Sequence, residues 1–258
     1  MKLLAVDIGN TNLTLGLFAD GSLAGSWRAT TRAHATPDEM AALCSQMLAL
    51  GGARVEELDA AAIASVVPPL TDSLARALVL RAGVEAQVVD AAALDGVLAI
   101  EIDRPAEAGA DRLCNALAAK TEFGGPAIVV DLGTSTNFDL VSAEGAYVGG
   151  AIAPGLGLSL EALVGRASKL PKIELRRPPR AIGTNTVTAI QSGILYGYGG
   201  LVEGLLQRLK EQFAPQRPLV LATGGMAQLI APFAPSLEII EPHLTLQGLR
   251  LIYDRCQA

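Results

Sequence analysis

Asp7-Ile8-Gly9-Asn10-Thr11-Asn12 and Asp131-Leu132-Gly133-Thr134-Ser135-Thr136-Asn137 are two versions of one phrase. Each follows a short apolar run and carries an Asp near its end. Each then turns on a Gly among small hydroxyl or amide residues and leads into a second run. Their offset, 131 − 7 = 124 residues, is close to half of the 258-residue chain. Gly in a tight turn lets backbone N–H groups approach an anion with no Cβ in the way. The Thr and Asn side chains that follow add short donors for phosphate oxygens. The Asp cannot bind phosphate directly, but it can hold a metal ion or its waters. A single Asp-x-Gly turn is also ordinary hairpin punctuation. Two at matching places in a duplicated chain point to a polyphosphate gripped from opposite sides.

Outward from these turns the chain reads as strands and then helices, twice over. Residues 2–6 and 13–18 form apolar strands, and Ala19-Asp20-Gly21-Ser22 turns into a third that runs through Arg28. Thr36 caps a helix with Pro37 at its first position and Glu39 closing a capping box. Its apolar face is Met40, Leu43, Cys44 and Met47, and it stops at Gly51-Gly52. Residues 60–67 read as a buried strand ended by Pro68-Pro69, after which Thr71-Asp72 opens a helix carrying Leu74 and Leu78. A strand at 86–89 and one helix from 105 to about 121, closed by Gly124-Gly125, complete the first half. The pattern restarts with strands at 128–131, 137–142 and 147–153, the turn between the last two falling at Glu144-Gly145. A long helix at 186–213, a strand at 218–222 entering Gly224-Gly225, and a helix at 245–255 follow. The expectation is an α/β protein of two similar halves, 1–114 and 115–258.

Composition narrows the function. Half of the residues are hydrophobic and 18% charged, a globular balance. A net charge of −6 argues against a nucleic-acid surface, which needs clustered Lys and Arg. The one basic run, Arg176-Arg177-Pro178-Pro179-Arg180, is broken by prolines and reads as a solvated loop. No apolar run is long enough for a membrane span. Asp7 interrupts the apolar start before a signal-peptide core can form, so a cytoplasmic protein is expected. Cys44, Cys114 and Cys256 fit neither a disulfide framework nor zinc spacing. With only His34 and His243 available, chemistry must rest on carboxylates, hydroxyls and backbone amides.

The paired turns resemble the phosphate-binding hairpins of the actin, sugar-kinase and heat-shock ATPase superfamily. Val220-Leu221-Ala222-Thr223-Gly224-Gly225-Met226-Ala227 resembles its adenosine loop. Within that superfamily the chain is similar to the type III pantothenate kinases. The matching segments are Asp7-Ile8-Gly9-Asn10-Thr11, Gly109-Ala110-Asp111-Arg112 followed by Asn115-Ala116, Asp131-Leu132-Gly133-Thr134, and Gly149-Gly150-Ala151-Ile152-Ala153-Pro154-Gly155. Lys169-Leu170-Pro171, Ile182-Gly183 with Asn185-Thr186, Gln191-Ser192-Gly193 with Tyr196-Gly197, and Leu244-Thr245-Leu246-Gln247-Gly248-Leu249 continue the series in the family's order.

The resemblance implies two actin-like (ribonuclease H-like) domains with a cleft between them. It also implies phosphorylation of pantothenate by ATP to 4′-phosphopantothenate, the first step of coenzyme A biosynthesis. Asp111 is then the base, which must lie within hydrogen-bond reach of the substrate's primary hydroxyl. Gly109, Ala110, Asp111 and Arg112 hold pantothenate, Arg112 as a cation suited to its anionic end. Asp7, Ile8, Gly9, Asn10, Thr11, Asn12, Leu13 and Thr14 lie along the phosphates of ATP, and Thr134 contacts the nucleotide. Asp131 is expected to bind a monovalent cation, K+ or NH4+, and Asp7 to orient hydrated Mg2+. Thr186 is expected to touch the substrate from the start of the long helix, which it can also cap. Glycines at 193, 197, 199, 200 and 204 on that helix, each costing up to about 1 kcal/mol relative to Ala, suggest close backbone packing in the homodimer the family forms.

Three positions depart from the family pattern. Asn137 stands where a Thr is usual, Leu132 where Phe is common, and Thr184 where Lys is common, which removes a cation near the substrate segment. None touches Asp7, Asp111 or Asp131. The rival readings are a kinase of another small hydroxyl compound, such as a sugar or polyol, and a non-catalytic transcription accessory factor of the same family. A filament-forming actin relative would need insertions for which this chain is too short.

Overall fold

The structure, a computed structural model, describes residues 1–167 and 170–256; Lys169 of the matching Lys169-Leu170-Pro171 segment lies outside them. The chain divides into two compact units, Met1–Glu122 with His243–Ala258, and Phe123–Pro242.

The first unit opens with a meander of β1 (Lys2–Ile8), β2 (Asn12–Ala19) and β3 (Ser22–Thr30). Asp20, at a positive φ of 49°, and Gly21 make the tight turn between the last two. Helix α1 (Pro37–Leu50) begins as its sequence dictates. Thr36 accepts from the Glu39 N–H, and the Glu39 carboxylate accepts from the Thr36 N–H. β4 (Ala60–Ser65) pairs parallel to β1, α2 (Pro68–Ala82) returns over the sheet, and β5 (Ala86–Val88) adds the last strand. The sheet order is β3-β2-β1-β4-β5. Leu4, Val6 and Ile8 of β1, Met40, Cys44 and Leu48 of α1 and Leu70, Leu74 and Leu78 of α2 fill the core beneath it. Helix α3 (Ala110–Ala118) follows a stretch of 3₁₀ turns.

The second unit repeats the plan. β6 (Ala127–Leu132), β7 (Ser135–Val141) and β8 (Tyr147–Pro154) form the meander, followed by α4 (Leu156–Arg166) and the long α5 (Thr186–Glu211). β9 (Leu219–Thr223) pairs parallel to β6, and the short α6 (Ala227–Ile230) leads to β10 (Ile239–Ile240). Its order, β10-β9-β6-β7-β8, is that of the first sheet read backwards. Even the irregularity recurs. The register shifts between Leu17 and Phe18 in the first meander and between Asp139 and Val141 in the second. Phe138, Leu140, Leu195, Val202 and Leu206 pack between sheet and α5. The last helix, α7 (Leu244–Cys256), belongs to the first unit, where it packs on α3.

Three sequence expectations are corrected. Pro68 and Pro69 start α2 instead of merely ending β4, since proline at the first helical positions loses no hydrogen bond. The single helix expected from 105 to about 121 is a 3₁₀ turn, Pro105–Glu107, an extended break at Ala108-Gly109, and then α3, which runs into a π turn at Ala119–Phe123. Asn185, not Thr186, caps α5, in a reciprocal box with Thr188.

Candidate active site

In the first unit, Asp7 sits one residue from the end of β1, in register with Thr14 on β2 and Ala64 on β4. The turn beyond it closes on one backbone bond, Gly9 N–H to Asn12 O at 3.0 Å. Ile8 and Leu13 point into the core, so only their backbone can face a ligand. Asn10 and Thr11 stand exposed at the tip, and the Asn10 N–H has no hydrogen-bond partner among the described residues.

Asp111 lies in the first turn of α3, whose N-cap is Gly109. Its Oδ1 folds back so far that a Cβ on Gly109 would stand 2.5 Å from it. That oxygen is buried and has no hydrogen-bond partner among the described residues. Arg112 follows, half-buried, on the same turn. Two residues on, Cys114 is fully buried, and its thiol pKa is pushed well above the usual range. Burial is the main cause, followed by the negative charges of Asp7 and then Asp111. Both carboxylates push the thiol pKa in the same direction as burial does. Behind them Asn115, without solvent exposure, accepts from the Thr245 hydroxyl at 2.8 Å, which fastens α7 to α3.

In the second unit the equivalent turn is shorter by one residue, closing from Gly133 N–H to Ser135 O at 3.0 Å. Asp131 pairs in register with Asn137 and Thr223. Gly224, at φ +87°, crosses so near that a Cβ on it would lie 2.5 Å from Asp131 Oδ1 and 2.7 Å from Leu132 O. Only Gly meets both the positive φ and the close approach. The Met226 N–H then bonds Leu132 O at 3.0 Å. On the other side a Cβ on Gly155 would meet Thr134 O at 2.1 Å, and the Gly155 N–H bonds that same oxygen at 3.1 Å. Thr134 itself is exposed. Asn137, the unusual residue of this turn, is buried and accepts from the Ser135 hydroxyl at 3.0 Å. The neighbouring Thr136 bonds the Tyr198 hydroxyl of α5. Burial raises the Tyr198 pKa, while the Thr136 bond works the other way.

Thr186 is exposed at the first turn of α5. Gly183 and Thr184 lie against that turn and line an open hollow of about 710 Å³ with Leu163, Leu170, Ile190 and Ile194. A Cβ on Gly183 would meet the Ala189 N at 2.3 Å, so Thr184 is set beside the helix start. The Arg176–Arg180 run is loop, with Arg176 ion-paired to Glu174.

Residues 3–208 match the family described as type III pantothenate kinase. The chain is 47% identical over 252 residues to the type III pantothenate kinase of Roseiflexus sp. (strain RS-1), covering 98% of each. It is 44% identical over 253 residues to that of Moorella thermoacetica, covering 98% of this chain and 99% of the relative. The chain belongs to the type III pantothenate kinases. Solved structures carry the fold further afield. A type III pantothenate kinase of this build resembles component A of the Acidaminococcus fermentans (R)-2-hydroxyglutaryl-CoA dehydratase at a TM-score of 0.60 and 14% identity over the whole of both chains. It resembles a ROK family glucokinase from Streptomyces griseus at 0.55 and 13%, again over both whole chains. The fold is that of the actin-like ATPases and sugar kinases.

Among the described residues no three His, Cys, Asp or Glu side chains gather as a metal cage. A divalent ion carried on a triphosphate would meet single carboxylates, and that donor set fits Mg2+, which keeps waters and leans on phosphate oxygens. At Asp131 the space beside Oδ1 stays open only because position 224 carries no side chain, and one carboxylate there would supply a single charge to a monovalent cation. Two features escape sequence reading in this family member. Asp139 is wholly buried on β7 and accepts from the Tyr147 hydroxyl at 3.3 Å. Thr31, just past β3, bonds the first turn from behind. The period-two pattern places Asp139 on the polar side of its strand but says nothing of burial, and no motif marks Thr31.

Proposed function

We propose that this chain transfers the γ-phosphoryl group of ATP to the primary hydroxyl of pantothenate, giving 4′-phosphopantothenate and ADP at the start of coenzyme A biosynthesis. The observation that carries the reading is Asp111 Oδ1, a buried carboxylate oxygen without a hydrogen-bond partner at the start of α3. Leaving a buried acceptor unpaired costs about 1–3 kcal/mol, and a substrate hydroxyl is the donor that would relieve it. Asp111 then takes the proton as that oxygen forms its bond to phosphorus and the bond to the bridging β-phosphate oxygen breaks. Phosphoryl transfer asks mainly for positioning and charge neutralisation. In this reading the open amides of the turn at Asp7–Thr14 lie along the phosphates and Thr134 contacts the nucleotide. Gly109, Ala110, Arg112 and Thr186 hold pantothenate. Bound Mg2+ would neutralise phosphate charge, and Asp7 would orient its waters. Asp131 would hold K+ or NH4+.

The working form is proposed to be a cytoplasmic homodimer. Support comes from exposed apolar side chains along and beside α5: Ile182 at 75%, Val187 at 40% and Tyr196 at 39% exposure. An ADP-release assay with pantothenate, with and without potassium, tests the activity, and a hexose tests the rival acceptor. Asp111→Asn is expected to leave ATP binding nearly unchanged and to lower turnover by about 10²–10⁴-fold, the worth of a positioned general base. Normal turnover in that variant, or a hexose used faster than pantothenate, overturns the proposal.

A further inference from the structure

We infer that Thr31 is a positioning residue for nucleotide binding, acting through the backbone of the Gly9–Asn12 turn; this rests on the reading of that turn as a phosphate site. Thr31 makes two bonds to the turn from the side of β3. Its hydroxyl donates to Gly9 O at 2.7 Å, and its N–H donates to Thr11 O at 2.9 Å. Together with the Gly9 N–H bond to Asn12 O, three bonds tie down the carbonyls of Gly9, Thr11 and Asn12. Carbonyl oxygens carry partial negative charge, and one swinging toward a triphosphate would repel it. Holding these oxygens inward fixes the peptide planes so that the Asn10 N–H, unbonded within the described residues, stays on the outer side of the turn. Preorganised amide dipoles of this kind need no rearrangement when the anion arrives.

The second unit supports this independently. Gly155 stands 24 residues past Asp131 (155 − 131), as Thr31 stands 24 past Asp7 (31 − 7). Each is the residue directly after the third strand of its meander. The Gly155 N–H ties down Thr134 O at 3.1 Å, the counterpart of the Thr31 N–H bond to Thr11 O. Both units therefore anchor a turn carbonyl from one topological position. In the second, the backbone approaches within a distance that excludes a Cβ, whereas in the first a threonine hydroxyl reaches across instead. The first turn is a residue longer, and the hydroxyl supplies the second anchor that the extra peptide requires.

Thr31→Val keeps the shape and the N–H bond but removes the hydroxyl bond, leaving Gly9 O free to rotate. The expected result is a KM for ATP raised about ten-fold, with kcat and the KM for pantothenate within about two-fold of wild type. Thr31→Ser, which keeps the hydroxyl, is expected to restore the ATP KM. A merely structural role would instead lower kcat or stability without a selective change in ATP KM. Asn10→Asp, which puts a negative charge at the exposed tip, separates the two levels of the argument. If Asn10→Asp weakens ATP use and Thr31→Val does not, the inference about Thr31 fails while the phosphate site stands. If neither changes the ATP KM, the reading of the turn itself fails. Hydrogen exchange on the wild-type protein gives a measurement that needs no variant. ATP is expected to slow exchange at the Thr31 amide, and an unchanged rate there with saturating nucleotide would overturn the link.

Discussion

At Asp131 three constraints meet within a few ångströms. The strand fixes the backbone, Gly224 closes over the carboxylate at a distance no Cβ could share, and the Met226 N–H ties the crossing segment to Leu132 O. In the proposed role, a carboxylate crowded on one side in this way would hold a small cation in a fixed place. Asp131→Asn preserves shape and removes the charge. The expected outcome is that stimulation by potassium falls toward none, measured as the ratio of initial rates with and without KCl at constant ionic strength. An unchanged ratio would clear Asp131 of that role. Single residues were unevenly legible. Asp7 and Asp131 announced themselves because the same short phrase occurs twice. Asp111 is marked only by Gly109 and Arg112 beside it, and its folded-back carboxylate follows from a missing Cβ that no periodicity reports. Thr31 lies in a Thr-Thr-Arg stretch with nothing to distinguish it, since its importance comes from a fold that returns it to residues 9 and 11.

Helices α3 and α7 show how an element can depend on one position. A Cβ on Gly248 would fall 2.1 Å from Cys114 O and 2.7 Å from Cys114 Cα, so the two helix backbones touch there. Thr245, one turn earlier, makes its bond to Asn115 only because that contact is close. Gly248→Ala must push the helices apart, and Asn115 and Asp111 lie on the displaced face of α3. Overpacking of this kind typically costs about 1–3 kcal/mol, although Ala gains a little intrinsic helix propensity. The expected outcome is a lower urea midpoint together with a fall in kcat; a variant as stable and as active as wild type would show that the contact is dispensable. Most elements were readable because local chemistry and tertiary structure agree, as at the Thr36–Glu39 box. Helix α4 was not, because Leu156, Leu158, Leu160 and Leu163 mix two periods and its cap is Gly155, whose residue type gives no start signal. Only Leu156 in it is buried, so there is no apolar stripe to find. The two-residue β10 is defined by pairing with β9 and carries no pattern of its own.

At the scale of the whole molecule the duplication is the dominant fact: two sheets of one topology, one bulge and one pair of anchored turns, written in sequences that have drifted almost everywhere else. The duplicated plan does not by itself account for the exposed glycines and apolar side chains of α5, the longest helix among the described residues. Gly193, Gly197 and Gly200 follow one another at helical spacing, and a Cβ added to any of them would meet nothing within 4 Å. Gly199 is different, since Phe233 O would lie 2.3 Å from its Cβ, which accounts for that glycine within the chain. The other three therefore weaken the helix with no compensating contact in their own unit, while Val187 and Tyr196 stand exposed on the same element. Gly197→Glu separates intrachain from interchain roles. In a lone chain the new side chain has room and improves helix propensity by up to about 1 kcal/mol, so stability should hold or rise. Between two copies it would bury a charge against apolar surface, which is strongly unfavourable. Sedimentation is expected to show a two-chain mass for the wild type and a one-chain mass for Gly197→Glu, with an unchanged circular dichroism spectrum and reduced phosphorylation of pantothenate. A wild-type chain that sediments as an active monomer at assay concentration would leave these glycines without a physical account and would end the case for a dimer.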